Sequence, residues 1–179
     1  MNKRLITLSA IIGLAALSRL LPHPPNVTPI AAIGLFAGAQ FRNRKAAFLL
    51  PMAAMFLSDL VLGFAVYGGA LLKSQPPVYL CVLMTVAIGR LIRNNRSALK
   101  IASATFGNAV IFYLVTNFAV WAWGALYPRT WSGLIVCYTA AIPFFRNSLI
   151  GDITFVAVLF GGFAVLERFF ASLREPLLA

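Results

Sequence analysis

RNRKAAFLLPMAAMFLSDLVLGFAV, residues 42–66, decides the fold class. Three of its first four residues are basic, and the 21 residues that follow contain a single charged side chain, Asp59. A helix needs about 20 predominantly apolar residues to cross the hydrocarbon core of a bilayer. Basic clusters beside such runs are typical of cytoplasmic loops. The stretch therefore predicts a transmembrane helix over 46–66 whose start lies on the cytoplasmic side.

The same alternation of apolar runs and short polar loops continues in both directions. It predicts a single transmembrane domain over 1–179, an all-α integral membrane protein built as a bundle of six transmembrane helices. These helices are predicted over 5–21, 28–41, 46–66, 78–92, 99–123 and 148–170.

The segment 134–145 is apolar but only about a dozen residues long, too short for a span. It contains Pro143, which interrupts helices, and it is followed by Arg146 and Asn147. We therefore expect a short extra helix on the outer side before helix 6, with Asn147 as the N-cap of helix 6.

Composition excludes the main alternatives. Hydrophobic residues make up 61% of the chain and charged residues 11%, against about 45–50% and about 25% in soluble domains. The net charge of +11 sits in short clusters between apolar runs. Nucleic-acid binders carry their charge as a stripe, a tail or one basic face, so nucleic acid is excluded as the expected partner.

The basic residues also predict the topology. With a cytoplasmic N-terminus and six spans, 11 of the 15 Lys and Arg residues lie inside, in agreement with the positive-inside rule. Both termini are then cytoplasmic. Counting 134–145 as a seventh span changes the split to 10 against 5, so charge alone favours six spans only slightly.

Polar residues concentrate at the predicted outer level of the helices, which indicates an outward-facing pocket. Its candidate residues are Cys81, His23, Asn26, Asp59, Tyr79, Asn117, Trp121, Tyr138, Arg146 and Asp152. Structural roles compete with this interpretation. Asp59 could pair with a neighbouring helix, Asp152 could complement a helix N-terminus, Trp side chains could be interfacial anchors, and Cys81 could be a small buried hydrophobe.

Motifs for common enzymes are missing from the sequence. It contains no Walker A motif, so we expect no ATP site in this chain, and it contains no GxSxG or HExxH. No nucleophile and base can be recognised as a pair. Small residues at 34 and 38 in helix 2, and a looser pair at 9 and 13 in helix 1, permit close helix contact within the chain or with a partner.

RLLPHPPNVTPIAA, residues 19–32, resembles the signature of small bacterial membrane proteins related to the S-components of energy-coupling factor (ECF) vitamin transporters. Residues 52–59, 142–147 and 151–152 fit the same pattern, so the resemblance covers nearly the whole chain. It implies a six-helix bundle of the ECF S-component type in the bacterial inner (cytoplasmic) membrane, with both termini in the cytoplasm.

Within that group, Cys81 in Tyr79-Leu80-Cys81 resembles the helix 4 cysteine of the BtuM-type cobalamin transporters. This resemblance implies that cobalamin (vitamin B12) is the transported substrate and that Cys81 is an axial ligand of its cobalt. A thiolate is a strong, soft ligand for transition metals. We expect ligation by Cys81 to weaken the opposite axial bond and to assist the loss of cobalt-bound cyanide.

Two questions stay open at this point. S-components normally work with an ECF transmembrane subunit and two ATPases, which would dock on the small-residue faces of helices 1 and 2, whereas members of this group are often thought to work alone. Two other functions also remain: an S-component-like transporter for another vitamin or metal, and a non-transport membrane scaffold or small intramembrane enzyme that uses Asp59 and Asp152.

Overall fold

The computed structural model describes residues 3–65 and 75–175, and within these residues it contains helices and no strand. All six predicted helices are present, although the sixth begins earlier than expected. The helices are α1 (Lys3–Leu17, continued by a 3-10 turn at Ser18–Leu20), α2 (Ile30–Gln40), α3 (Arg44–Ala65), α4 (Pro76–Leu91), α5 (Ala98–Trp123) and α6 (Trp131–Phe169). The predicted last residue of helix 3, at position 66, lies outside the described residues.

The sixth helix corrects the sequence-based prediction. It runs through Trp131–Val156, a π-helical turn at Ala157–Gly161 and Gly162–Phe169 without a break, so the predicted short extra helix over 134–145 is wrong. Pro143 lies inside the helix, because a proline removes only one backbone hydrogen bond and is tolerated in long apolar helices.

The start of α6 is set by Thr130, whose side chain accepts a hydrogen bond of 3.1 Å from the backbone N–H of Gly133. Asn147, predicted as the N-cap, lies inside the helix and donates from its side chain to the Pro25 carbonyl at 3.2 Å. Both segments on either side of Pro143 therefore belong to one helix of 39 residues.

Helix α2 forms the centre of the bundle. Every residue from 31 to 40 is buried, and α2 packs against α1, α3, α4, α5 and α6. Phe36 makes edge-to-face contacts with Phe160 and Phe163, with ring centroids 5.3 and 5.6 Å apart. The shortest of the six helices is thus the innermost, whereas α3, α5 and α6 keep large apolar side chains exposed.

Glycines bring α2 and α4 into direct backbone contact. A Cβ atom built on Gly38 would lie 2.2 Å from the Val86 carbonyl oxygen, and one on Gly89 would lie 2.4 Å from the Leu35 carbonyl oxygen. The small-residue pair of helix 2, Gly34 and Gly38, thus packs against α4 within the chain, which is one of the two uses expected for it. In α1, by contrast, a Cβ on Gly13 would meet nothing within 4 Å.

Three helices, α3, α5 and α6, are long and apolar enough to cross a membrane. At one end of the molecule, Arg4 of α1 pairs with Glu167 of α6 at 2.6 Å and donates to the Gln40 side chain of α2 at 2.9 Å. We call this the basic end. We call the opposite end, which contains Arg19 and the start of α4, the far end. The beginning of α1 and the end of α6 therefore lie at the same end.

Candidate functional site

A buried ion pair joins α1 to α3 at the far end. The Arg19 guanidinium lies 2.6 Å from an Asp59 carboxylate oxygen, and their side chains are 7% and 0% exposed. Arg19 also donates to the Ser58 hydroxyl and to the Met55 carbonyl, the latter at 3.3 Å. The Tyr79 hydroxyl of α4 donates to the second oxygen of Asp59 at 2.9 Å. The structure thus brings together two predicted site residues, Asp59 and Tyr79.

This cluster is closed, because each carboxylate oxygen of Asp59 has a partner and no part of the side chain is exposed. A buried charge requires such compensation. Its geometry agrees with the structural role considered for Asp59 from the sequence. Sequence reasoning did not include Arg19 among the candidate site residues. The available signal was a lone arginine at the end of one apolar helix and a lone acid in another.

A cavity of about 1220 Å³ opens beside this cluster, between α4 and α5. Its walls are the first turns of α4, the last three turns of α5 and one side chain of α6. Among the described residues the lining carries no charged side chain; it comprises Pro76, Pro77, Val78, Leu80, Leu114, Val115, Thr116, Phe118, Ala119, Val120, Trp123, Gly124 and Tyr138. Tyr138 is the only predicted pocket residue among them, and the walls suit a bulky ligand with apolar faces.

Cys81 is a free thiol that lies behind the cavity wall. Its side chain is 1% exposed, whereas the preceding residue, Leu80, lines the cavity. Cys81 shares the buried face of α4 with Thr85, whose hydroxyl donates to the Cys81 carbonyl at 2.8 Å. Thr85 also contacts the Asn108 side chain of α5. The thiol is therefore enclosed in the bundle, whereas the side chain of its neighbour in the sequence, Leu80, reaches the cavity surface.

Asn117 and Tyr138 take part in hydrogen bonds that connect α5 with α6 beside the cavity. The Tyr138 hydroxyl donates to the Leu114 carbonyl at 2.7 Å, and the Tyr113 hydroxyl donates to the Tyr138 carbonyl at 2.5 Å. Asn117 donates from its side chain to the Tyr113 carbonyl, and its own carbonyl accepts from the Cys137 thiol at 3.5 Å. The bonds between α5 and α6 hold these two helices together, and both contribute residues to the cavity lining.

Two of the predicted residues lie in the connection between α1 and α2, outside the cavity lining. His23 is exposed, and its Nδ1 lies 2.6 Å from the Leu21 carbonyl oxygen. Asn26 has a φ of 65°, a left-handed conformation that asparagine adopts more readily than most residues. The role of Asn26 in this structure is therefore to turn the chain into α2.

The last three predicted residues are separate from the cavity as well. The Trp121 indole donates to the Pro128 carbonyl at 3.0 Å, and Arg146 is exposed on α6. Asp152 is buried in the middle of α6, and among the described residues it forms no ion pair. Because α6 begins at Trp131, Asp152 lies inside its helix, and the role considered for it at the N-terminus of helix 6 is wrong.

Within residues 3–65 and 75–175, no group of three or more His, Cys, Asp and Glu side chains could hold a metal ion. No curated protein and no solved structure matches the chain. The model of one family, "Family of unknown function (DUF6580)", matches residues 1–173. Since that match covers almost the whole chain, the protein belongs to the DUF6580 family.

Proposed function

We propose that this protein is a multi-pass transport protein of the bacterial inner membrane that binds cobalamin or a related corrinoid in the far-end cavity. The observation that carries this proposal is the cavity of about 1220 Å³, whose wall includes the residue adjacent to Cys81. Pockets for drug-sized ligands occupy roughly 300–1,000 Å³, so this cavity has room for a ligand as large as a corrin.

The surface of the molecule supports a place in the membrane. Large apolar side chains are exposed along the three long helices, among them Leu49 and Phe64 of α3, Phe106 of α5 and Ile153 of α6. Soluble monomers rarely expose contiguous apolar surface beyond a few hundred Å². With the basic end in the cytoplasm, as the positive-inside rule requires, both termini are cytoplasmic and the cavity faces outwards.

The lining of the cavity fits the faces of a corrin ring, which are apolar. Phe118 and Trp123 supply aromatic surface, and Thr116 supplies a hydroxyl for the amide-bearing edge of the ligand. Since the described residues of the walls carry no charged side chain, a neutral ligand leaves none of them with a buried, unpaired charge. The resemblance described above selects cobalamin among the ligands of this size and character.

Ligation of cobalt by Cys81 requires a displacement of α4, because the thiol is enclosed behind Leu80. A rotation of the first turns of α4 by about 100° would exchange Leu80 for Cys81 at the wall, since this is the angle between successive residues of a helix. The thiol then releases its proton and donates an electron pair to cobalt(III). In cyanocobalamin, the opposite cobalt–carbon bond breaks heterolytically, and cyanide leaves with the bonding pair.

Transport would follow from release of the bound corrinoid on the cytoplasmic side. An ECF transmembrane subunit with two ATPases, or this protein alone, could perform that step. Among the two helices expected to dock a partner, only α1 keeps an open small-residue position, at Gly13.

The test is an ultraviolet–visible titration of the detergent-purified protein with aquocobalamin. The absorption spectrum of aquocobalamin should shift when the protein binds it, because a thiolate replaces water on cobalt. We expect Cys81→Ala to abolish the shift. Cys137→Ala is the matched control, since Cys137 is also a buried free thiol close to the cavity, and it should leave the shift intact.

Three results would contradict the proposal in different parts. Absence of any bound corrin would remove cobalamin and favour another vitamin as the substrate. A shift that survives in Cys81→Ala and disappears in Cys137→Ala would move the ligand to α6. For cyanide loss, an unchanged rate in a Cys81→Ala variant that still binds cyanocobalamin would refute the role of the thiolate in decyanation.

A further inference from the structure

Arginines from two separate segments of the chain, 42–44 and 90–93, meet at the basic end. The Phe41 carbonyl, at the C-terminal end of α2, accepts from Arg90 at 2.6 Å and from Arg93 at 3.3 Å. Arg42 follows Phe41 in the chain, and Arg44 begins α3 close enough to Arg90 for their charges to repel. We call Arg42, Arg44, Arg90 and Arg93 the arginine cluster.

The arginine cluster has too few carboxylates to balance its charge. Glu175 pairs with Arg93. Within residues 3–65 and 75–175, Arg42, Arg44 and Arg90 form no ion pair, although all four Asp and Glu residues of the chain lie in those ranges. Burial and the neighbouring guanidiniums lower the pKa of Arg93. Positive charge thus exceeds negative charge here within the described part of the protein, where Glu175 compensates one arginine of the cluster.

We propose that the arginine cluster binds the phosphate of an anionic phospholipid. A guanidinium presents five N–H donors in a planar fork that matches phosphate oxygens, and Arg90 uses one nitrogen to hold Phe41. Basic pockets between helices on the cytoplasmic side are a recurrent place for anionic headgroups. This inference rests on the membrane location proposed above, but it is independent of cobalamin and of Cys81.

The surroundings of the arginine cluster favour a lipid over a soluble anion. Leu91, the residue after Arg90, is 84% exposed, and Leu49, just over one turn beyond Arg44, is 65% exposed. Acyl chains would cover these side chains while the headgroup phosphate contacts the guanidiniums. Inorganic phosphate or a nucleic acid has no acyl chains and would contact the guanidiniums alone.

The experiment compares phospholipid binding by the full-length protein in a neutral detergent, measured by native mass spectrometry with phosphatidylglycerol and phosphatidylcholine as probes. We expect a clear preference for phosphatidylglycerol. Arg42→Gln/Arg44→Gln should reduce its affinity about tenfold or more, because each basic residue near an anionic surface contributes roughly fivefold. Both side chains are exposed, so the fold should persist.

The matched control is Lys100→Gln/Arg168→Gln, which removes the same charge from exposed positions outside the arginine cluster. It should keep the preference for phosphatidylglycerol. Equal loss in both double variants would show a diffuse charge effect and overturn the site. Equal binding of the two lipids by the unmodified protein, or displacement of phosphatidylglycerol by millimolar inorganic phosphate, would also overturn it. Cobalamin binding by Arg42→Gln/Arg44→Gln reports on the other proposal separately.

Discussion

The two ends of the molecule use the same chemical pair in opposite ways. At the far end, Arg19 and Asp59 are 7% and 0% exposed and have hydrogen-bond partners on three sides. At the basic end, Arg93 and Glu175 are 17% and 26% exposed, and Glu175 is shared with Arg96 at 3.4 Å. The Asp59 carboxylate is enclosed with a single arginine, whereas the Glu175 carboxylate is surrounded by more arginines than it can neutralise.

The difference teaches what each end can do. A closed pair exposes almost no surface to a ligand, so its contribution is to hold α1, α3 and α4 together. An open cluster with surplus cations retains both donors and charge, and these can be used by a bound anion. Ion pairing as such therefore does not mark a functional site; the balance of charges and the exposure around it do.

The largest effect should come from opening the far-end pair. Asp59→Asn leaves the Arg19 guanidinium buried without a counter-charge, and we expect the free energy of unfolding to fall by roughly 3–5 kcal/mol. Denaturant titration in detergent micelles, followed by circular dichroism, would measure this. Arg19→Met/Asp59→Leu removes both charges and should recover most of the loss. A stable Asp59→Asn protein would show that the pair is not the structural link described here.

An intermediate effect is expected where the two central helices touch. Gly89→Ala places a methyl group 2.4 Å from the Leu35 carbonyl oxygen, so α2 and α4 must separate. Overpacking of this kind costs about 1–3 kcal/mol. The same titration measures it, with Gly107→Ala as control because its methyl group would meet nothing within 4 Å. Equal stability of the two variants would contradict the tight contact that places Phe41 near Arg90.

The smallest effect belongs to the basic end. Glu175→Gln removes a partly exposed pair, and such pairs contribute about 0–1 kcal/mol. At the same time it frees Arg93 and Arg96, so the preference for phosphatidylglycerol should rise. Denaturant titration and native mass spectrometry of Glu175→Gln would show whether an ion pair at the basic end contributes less to stability, and more to lipid binding, than the pair at the far end. A loss of stability as large as that of Asp59→Asn would make the two ends equivalent.

The sequence predicted the helical class and five of the six helix starts to within about two residues, and it offered pairing with a neighbouring helix as one of two alternatives for Asp59. It did not predict continuous α6. A dozen apolar residues ending in proline and arginine look like a separate element, but backbone bonds on either side of Pro143 carry the helix through. Asn147 was consequently misassigned, since its partner, Pro25, lies 122 positions away in the chain.

The candidate site shows the same division between properties that local sequence predicts and contacts that long-range packing decides. Composition and hydrophobic run length determine that the protein is helical and apolar on the outside, because these properties depend on local spacing. Which arginine meets Asp59, whether Cys81 faces the cavity, and which face of α4 meets α2 depend on contacts between distant segments. The physical reason is that side-chain burial and charge pairing are set by three-dimensional proximity, which the tertiary structure alone decides.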